Sequence, residues 1–333
     1  MASTQPLAPS NRSAPPRRSG RRSSVRSWRI GDQLIWLAAW IAGASLCLIA
    51  GAIVVFLAVK GIAYLRPSLL VTSPSASVDQ SSSGGFLDPM IGTLVLAVIG
   101  TLIATPIAVA TAFWVVEYGR PRWLAATVET SIEMVAGTPD IVIAIFGLAL
   151  FQFGILAPLS FRASGGGVYG RSFLAAGIMM SLLALPLTYT ATRNGLRARP
   201  RQLREASYAL GKTRIATIRR VLLPSVRSDI ATGATLGMGR IIGSTAIVVL
   251  LLGATLQNSP QGNVPLLGFL RGTGSTLTSY IFENSPAGEG NAAEKAYAAA
   301  FVLLLIVLLL NAAVARISRL GAGGAVTAGR LSL

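Results

Sequence analysis

The 333-residue chain is 52% hydrophobic and only 12% charged, with a mean hydropathy of +0.62, against roughly 25% charged residues in a soluble domain; this is the composition of a membrane protein. It contains no His and a single Cys, Cys47, inside an apolar run, which excludes histidine-based catalysis, the usual kind of zinc site and any intrachain disulfide. The net charge of +17 would suit a nucleic-acid binder, so its distribution along the chain has to decide.

Residues 1–33 are rich in Ser, Pro and Arg, with RRSGRR at 17–22, and cannot bury a core. They read as a disordered basic cytoplasmic arm that touches anionic lipid. The apolar run that follows is too long for a signal peptide and shows no cleavage site before it ends, so it reads as an anchor. Six runs, at 34–59, 90–116, 133–155, 172–192, 228–255 and 296–315, reach the roughly 17 to 25 residues needed to cross a bilayer. The third is interrupted in its first turns by Gly137, Pro139 and Asp140, which neighbouring helices can accommodate.

With the N-terminus inside, the internal segments hold 22 Lys and Arg and the external ones 6, Arg240 lying within a span. This bias puts both termini on the cytoplasmic side and assigns the positive charge to membrane topology, not to a nucleic-acid footprint. The expected organisation is all-α, a polytopic membrane protein with six transmembrane helices. Residues 34–89 hold the first crossing and an external Ser-rich linker, 90–318 a five-helix core with a cytoplasmic loop at 193–227, and 319–333 a cytoplasmic tail. The external connection 256–295, rich in Gly, Pro and Asn with Leu266, Leu267, Phe269 and Leu270, either docks a partner or forms a lid.

The loop at 193–227 is strongly basic yet carries apolar residues at helical spacing. Within it, ASYALGKT at 206–213 passes a loose phosphate-loop pattern. A phosphate loop needs a buried strand before it and glycines that turn N–H groups inward; here RARPRQLRE precedes it and Ser207–Leu210 contain no glycine. The stretch predicts instead two short helices, one ending near Gly211 and one at Pro224. Ile215, Ile218 and Leu222 share a face of the second, suited to docking on a cytoplasmic partner.

Glu205-Ala206-Ser207, three residues, Gly211, nine residues, then Val221-Leu222-Leu223-Pro224 resembles the EAA loop of ABC-importer permeases, whose pattern is E-A-A, three residues, G, nine residues, I-x-L-P. The resemblance implies a MetI-like, type I permease fold and a loop whose helices fit a cleft of a separate ATP-hydrolysing subunit. Glu205, Ala206, Gly211, Leu223 and Pro224 are then the ATPase-coupling residues. Over residues 90–318 the chain is also similar to phosphate-importer permeases of the A type (PstA-like), through AGTPDIVIAIFGLALF at 136–151, LREASYALG at 203–211, IRRVLLP at 218–224 and GRIIGSTA at 239–246. This implies a bacterial inner-membrane subunit forming half of a phosphate pathway. Its partners would be a dimer of ATP-binding subunits, a second permease chain of the C type, an external phosphate-binding protein and the lipid bilayer, with no cofactor and no enzymatic activity of its own. The sequence departs from the family at Gly243-Ser244-Thr245-Ala246, where G-E-T-A is usual, and at Asp140, where Ser is usual.

Arg240 lies about 13 residues into the fifth apolar run, roughly 20 Å along a continuous helix, too deep for easy snorkelling. Gly233, Gly237, Arg240 and Ser244 fall at i, i+4, i+7 and i+11, a stripe that either lines a passage or packs on a neighbouring helix. Asp140 is the other deep charge, and its gain accompanies the loss of the acid at 244. Pairing of Asp140 with Arg240 is therefore expected, Arg240 being either a structural lock or an electrostatic stepping point for an oxyanion. Arg240, Ser244, Thr245 and Asp140 are the candidate pathway residues. Lys60, Lys212 and Lys295 lie in connections or at span ends, and only Asp140 is a clearly deep carboxylate, so intramembrane Ser/Lys and aspartyl hydrolases are disfavoured. The competing readings are an importer for another oxyanion or small polar solute, and a membrane scaffold or channel.

Overall fold

The computed structural model describes residues 30–75, 84–162, 167–253, 255, 257–261, 265–288 and 292–328. The basic arm before residue 30, most of the Ser-rich linker and the end of the tail lie outside the described residues. In chain order the helices are α1 (Ile30–Tyr64), α2 (Pro67–Val71), α3 (Leu87–Phe113), α4 (Arg122–Gly137), α5 (Asp140–Gln152), α6 (Phe173–Ala198), α7 (Arg201–Ala209), α8 (Arg214–Thr217), α9 (Leu223–Ser225), α10 (Arg227–Gly243), α11 (Thr245–Leu251), α12 (Pro265–Arg271), α13 (Leu277–Asn284) and α14 (Ala293–Ala328). Two π turns interrupt this order, Trp114–Tyr118 after α3 and Ile218–Leu222 between α8 and α9. Two isolated β-bridges are the extent of sheet pairing among the described residues.

Four helices are long and apolar enough to cross a membrane singly: α1, α3 with its π turn, α6, and α14 up to Arg316. The third and fifth apolar runs differ from the straight crossings expected. Each is a bent pair, α4 with α5 at 106° and α10 with α11 at 57°, so the crossings number four to six. The first break has a local cause. Pro139 has no N–H to donate and holds Thr138 extended (φ −77°, ψ 131°), while the Thr138 hydroxyl turns back to the carbonyl of Met134 at 2.8 Å. At the second, Gly243 and Ser244 are poor helix residues, and Ser244 leaves the helical region (φ −83°, ψ 109°), its N–H bonding the carbonyl of Ile241 at 3.2 Å.

The chain divides into two compact units, residues 1–55 and 56–333. In the first, the described residues are 30–55 of α1, an apolar stretch of helix exposed almost all round, with Trp36 and Trp40 in ring contact at 6.0 Å. In the second, α3, α6 and α10 pack side by side, with α5 and α11 against α6 and α14 against α10. Its centre is filled by Leu96 and Ala104 of α3, Phe151 of α5, Met179 and Met180 of α6, Ile241 of α10 and Ile247 and Leu251 of α11. The seam between α6 and α10 requires small residues. A Cβ on Gly233 would stand 2.8 Å from the Cα of Thr188, and one on Gly237 would stand 2.9 Å from the Cβ of Ala184. Of the two alternatives for the small-residue stripe, these two glycines therefore take the packing one. Arg240 continues the same face but is exposed, and Ser244 lies beyond the helix end, so the stripe does not extend to it.

Candidate functional site

The loop after α6 begins where Arg199, held extended by the following Pro200, ends that helix (φ −76°, ψ 133°). α7 then runs to Gly211, whose φ of +71° is open to glycine without strain and which has nothing within 4 Å of a built Cβ. Thr213 caps α8, its hydroxyl accepting from the N–H of Ala216 at 3.3 Å. The buried hydroxyls of Ser207 and Thr217 join the two helices at 2.8 Å. Glu205, Ala206 and Gly211 are exposed, whereas Leu223 and Pro224 are half-buried.

Two expectations about this loop need correction. The second helix does not end at Pro224: its ladder widens into the π turn Ile218–Leu222, and α9 continues through Pro224 to Ser225. Nor do Ile215, Ile218 and Leu222 form one face open to a docking partner. Widening to i→i+5 bonding shifts the side-chain register, and Leu222 is fully buried beside Val115 and Val226 while Ile215 is 63% exposed. Ile215 and Leu210, the latter 77% exposed, instead flank the Gly211 turn as uncovered apolar residues on a charged loop.

Sequence reasoning missed the ion pairs that hold this loop, having counted the arginines only as topology and left out Glu117, Glu129 and Asp229. Glu117, in the π turn after α3, accepts from Arg204 of α7 through Nε at 2.9 Å and Nη2 at 2.7 Å. Arg199 pairs with Asp229 of α10 at 2.6 Å, and Glu129 of α4 pairs with Arg193 of α6 at 2.7 Å. Between the ends of α3 and α6 and helix α7 lies a cleft of about 540 Å³, lined among others by Glu117, Arg199, Arg204 and Glu205. No signal in the sequence links Glu117 to Arg204, whose pairing depends on how α3 and α6 lie together.

The second candidate region sits at the two helix breaks. Asp140 is the first residue of α5 and Arg240 is in the last turn of α10; Arg240 Nη2 donates to Asp140 Oδ1 at 2.5 Å. A helix N-terminus favours the anion and a helix C-terminus the cation, so backbone dipoles and the partner act together on each charge. The Asp140 side chain is 20% exposed and that of Arg240 50%, leaving the pair open on one side. Among the described residues no hydrogen bond joins Ser244 or Thr245 to it. The buried Ser244 hydroxyl has no hydrogen-bond partner among the described residues, and Thr245 lines a separate, largely apolar groove of about 600 Å³ with Thr278, Phe282 and Leu303. No group of three or more His, Cys, Asp or Glu suited to a metal occurs among the described residues.

In fold the chain is a MetI-type membrane subunit of an ABC importer. It aligns with a chain of the MetNI methionine ABC transporter over 71% of this chain and 94% of that one (TM-score 0.51, 20% identity), and with a chain of a bacterial alginate ABC transporter over 87% and 96% (TM-score 0.59, 15% identity). Residues 104–320 match the family described as binding-protein-dependent transport system inner membrane component, and the chain belongs to that family. Among its relatives, the phosphate transport system permease protein PstC of Xylella fastidiosa (strain 9a5c) is 32% identical over 240 residues, covering 68% of this chain and 69% of that protein. PstA 1 of Mycobacterium tuberculosis (strain ATCC 25618 / H37Rv) is 32% identical over 235 residues, covering 71% and 70%. The chain is thus a multi-pass, non-catalytic inner-membrane permease, and its membership implies an ATPase subunit and a periplasmic binding protein as partners.

Proposed function

We propose that this permease imports inorganic phosphate, forming half of the pathway beside a second permease chain of the C type, with an external phosphate-binding protein delivering the anion and both its own termini in the cytoplasm. Support for phosphate comes from the phosphate permeases of both types that match at 32% identity over about two thirds of the chain. Glu205, Ala206, Gly211, Leu223 and Pro224 are proposed to form the dock for the ATPase subunit. The observation that carries this reading is the exposure of Leu210 and Ile215 on either side of Gly211: two large apolar side chains on a charged loop gain by burial in a partner's cleft. Closure of the ATPase dimer would then tilt the loop and switch the bundle between outward and inward access.

Along the pathway, Arg240 offers a cation already balanced by Asp140, so that an oxyanion competes with the carboxylate for the guanidinium. Ser244 and Thr245, next along the chain at the break in the fifth run, do not face that pair in this conformation and are proposed to reach the path only as the bundle switches access. The test is uptake of labelled phosphate into vesicles containing the full complex, with ATP inside and binding protein outside. ATP-dependent phosphate uptake supports the reading. Equal uptake without ATP removes the dock, and ATP-driven uptake of sulfate or another solute in place of phosphate removes the substrate.

A further inference from the structure

The covalent chain ties the coupling loop to α6 at one end and, through α9, to α10 at the other. A third connection is made by side chains alone, and it reaches α3. After its α-helical run α3 widens into the π turn Trp114–Tyr118, a local form frequent at functional sites, which stops at Gly119 (φ +41°), whose N–H returns to the carbonyl of Trp114 at 2.8 Å. Glu117 in that turn is 5% exposed, more enclosed than any charged side chain of the Arg193–Glu129, Arg197–Glu129, Arg199–Asp229 and Arg240–Asp140 pairs.

Both helices of the loop hold this turn. From α7, Arg204 places Nε and Nη2 on the same Glu117 oxygen, at 2.9 and 2.7 Å, and its remaining contacts go to the carbonyls of Leu196 (3.2 Å) and Arg199 (3.4 Å) at the end of α6. From α8, Arg214 donates to the Glu117 carbonyl at 3.4 Å and lays its guanidinium 5.2 Å from the centre of the Tyr118 ring. Beneath these polar contacts the two π turns contribute to one apolar cluster, Val115 from the first and Leu222 from the second.

We infer that Glu117 is a positioning residue for energy coupling: it gathers α7, α8 and the end of α6 onto the terminal turn of α3, so that displacement of the loop is delivered to α3 as well as to α6 and α10. α3 packs along both of those helices, and the three then move as one body. Without Glu117, the loop would turn against α3. The inference rests on the reading of this loop as the ATPase dock, and its test separates the two.

The experiment uses the whole importer in proteoliposomes, measuring ATPase retention on purification, ATP hydrolysis with and without the binding protein, and phosphate moved per ATP. Glu117→Gln is expected to keep the ATPase attached and to lower phosphate moved per ATP about tenfold, within the range of coupling between linked sites. Glu117→Asp, which keeps an anionic acceptor for Arg204, is expected to recover at least about threefold of that loss. Unchanged phosphate per ATP in Glu117→Gln, or no recovery in a stably assembled Glu117→Asp, overturns the inference. Should Glu117→Gln fail to assemble, the exposed Arg214→Gln replaces it, with an expected loss of about twofold to threefold in phosphate per ATP; no loss overturns the inference equally. Gly211→Val reports on the dock: an ATPase still fully retained removes the dock reading, whereas loss of the ATPase there together with unchanged coupling in Glu117→Gln removes the relay alone.

Discussion

Neutralising Asp140 and Arg240, singly and together, measures what their contact contributes to transport. Exposed pairs contribute about 0.2–1 kcal/mol, and breaking a fully buried one costs about 3–5 kcal/mol. This pair lies between, with one side chain 20% and the other 50% exposed and a single bond of 2.5 Å. A coupling energy of about 1–2 kcal/mol follows, or roughly 5- to 30-fold. The assay is the initial rate of uptake at low phosphate for wild type, Asp140→Asn, Arg240→Gln and the double variant, with each ratio converted to a free energy. The double variant should fall short of the summed single losses by that coupling energy. Exchanging the charges, Asp140→Arg with Arg240→Asp, should restore transport only in part, because each new charge faces the unfavourable end of its helix dipole at about 0.3–1 kcal/mol apiece. Single losses that add to within about 0.3 kcal/mol would refute the pairing as a functional element.

Three further outcomes are expected. Gly211→Val forces a β-branched residue to φ +71°, costing at least about 1–2 kcal/mol locally, and should weaken retention of the ATPase subunit about tenfold in a pull-down while leaving the transmembrane bundle folded by circular dichroism. Gly233→Ala should lower Tm in detergent through overpacking of about 1–3 kcal/mol, its Cβ standing 2.8 Å from the Thr188 backbone, whereas Gly239→Ala, with nothing within 4 Å, should leave Tm unchanged or raise it. Burial raises the pKa of Glu283 in the external connection; the stability this contributes is fully present below the unfolded carboxylate value and is lost as pH rises through the folded one. Glu283→Gln should therefore raise stability at neutral pH and flatten the acid-to-neutral slope of Tm.

Much of the fold was legible because bilayer crossing is set by the length and composition of whole segments, and six apolar runs survive averaging over any window. The interruption of the third run at Gly137, Pro139 and Asp140 was legible but its 106° angle was not, and the break at Gly243-Ser244 was not, because it is a two-residue feature inside a run whose mean hydropathy it hardly alters. The coupling loop was legible through spacing, since Glu205, Gly211 and Pro224 stand at fixed separations along a local hairpin. Its attachment was not: Glu117 and Arg204 are 87 residues apart, and only the packing of α3 on α6 brings them together. Periodicity alone also assigned Gly233, Gly237, Arg240 and Ser244 to one face, which holds only while the helix continues; it ends at Gly243.

The missed bends and the deep charges are one physical feature. Were α4 continuous with α5, Asp140 would stand in mid-helix, where no free N–H groups are available to it, and a charge at the membrane centre would cost at least about 2.5–3.5 kcal/mol. The break at Thr138-Pro139 turns that position into a helix N-terminus, and the break after Gly243 turns Arg240 into part of a helix C-terminus. Each charge then has a favourable dipole as well as its partner. It follows that the acid at 140 depends on the proline before it: Pro139→Ala, by allowing α4 and α5 to straighten, should impair transport to the degree that Asp140→Asn does, although it removes no charge.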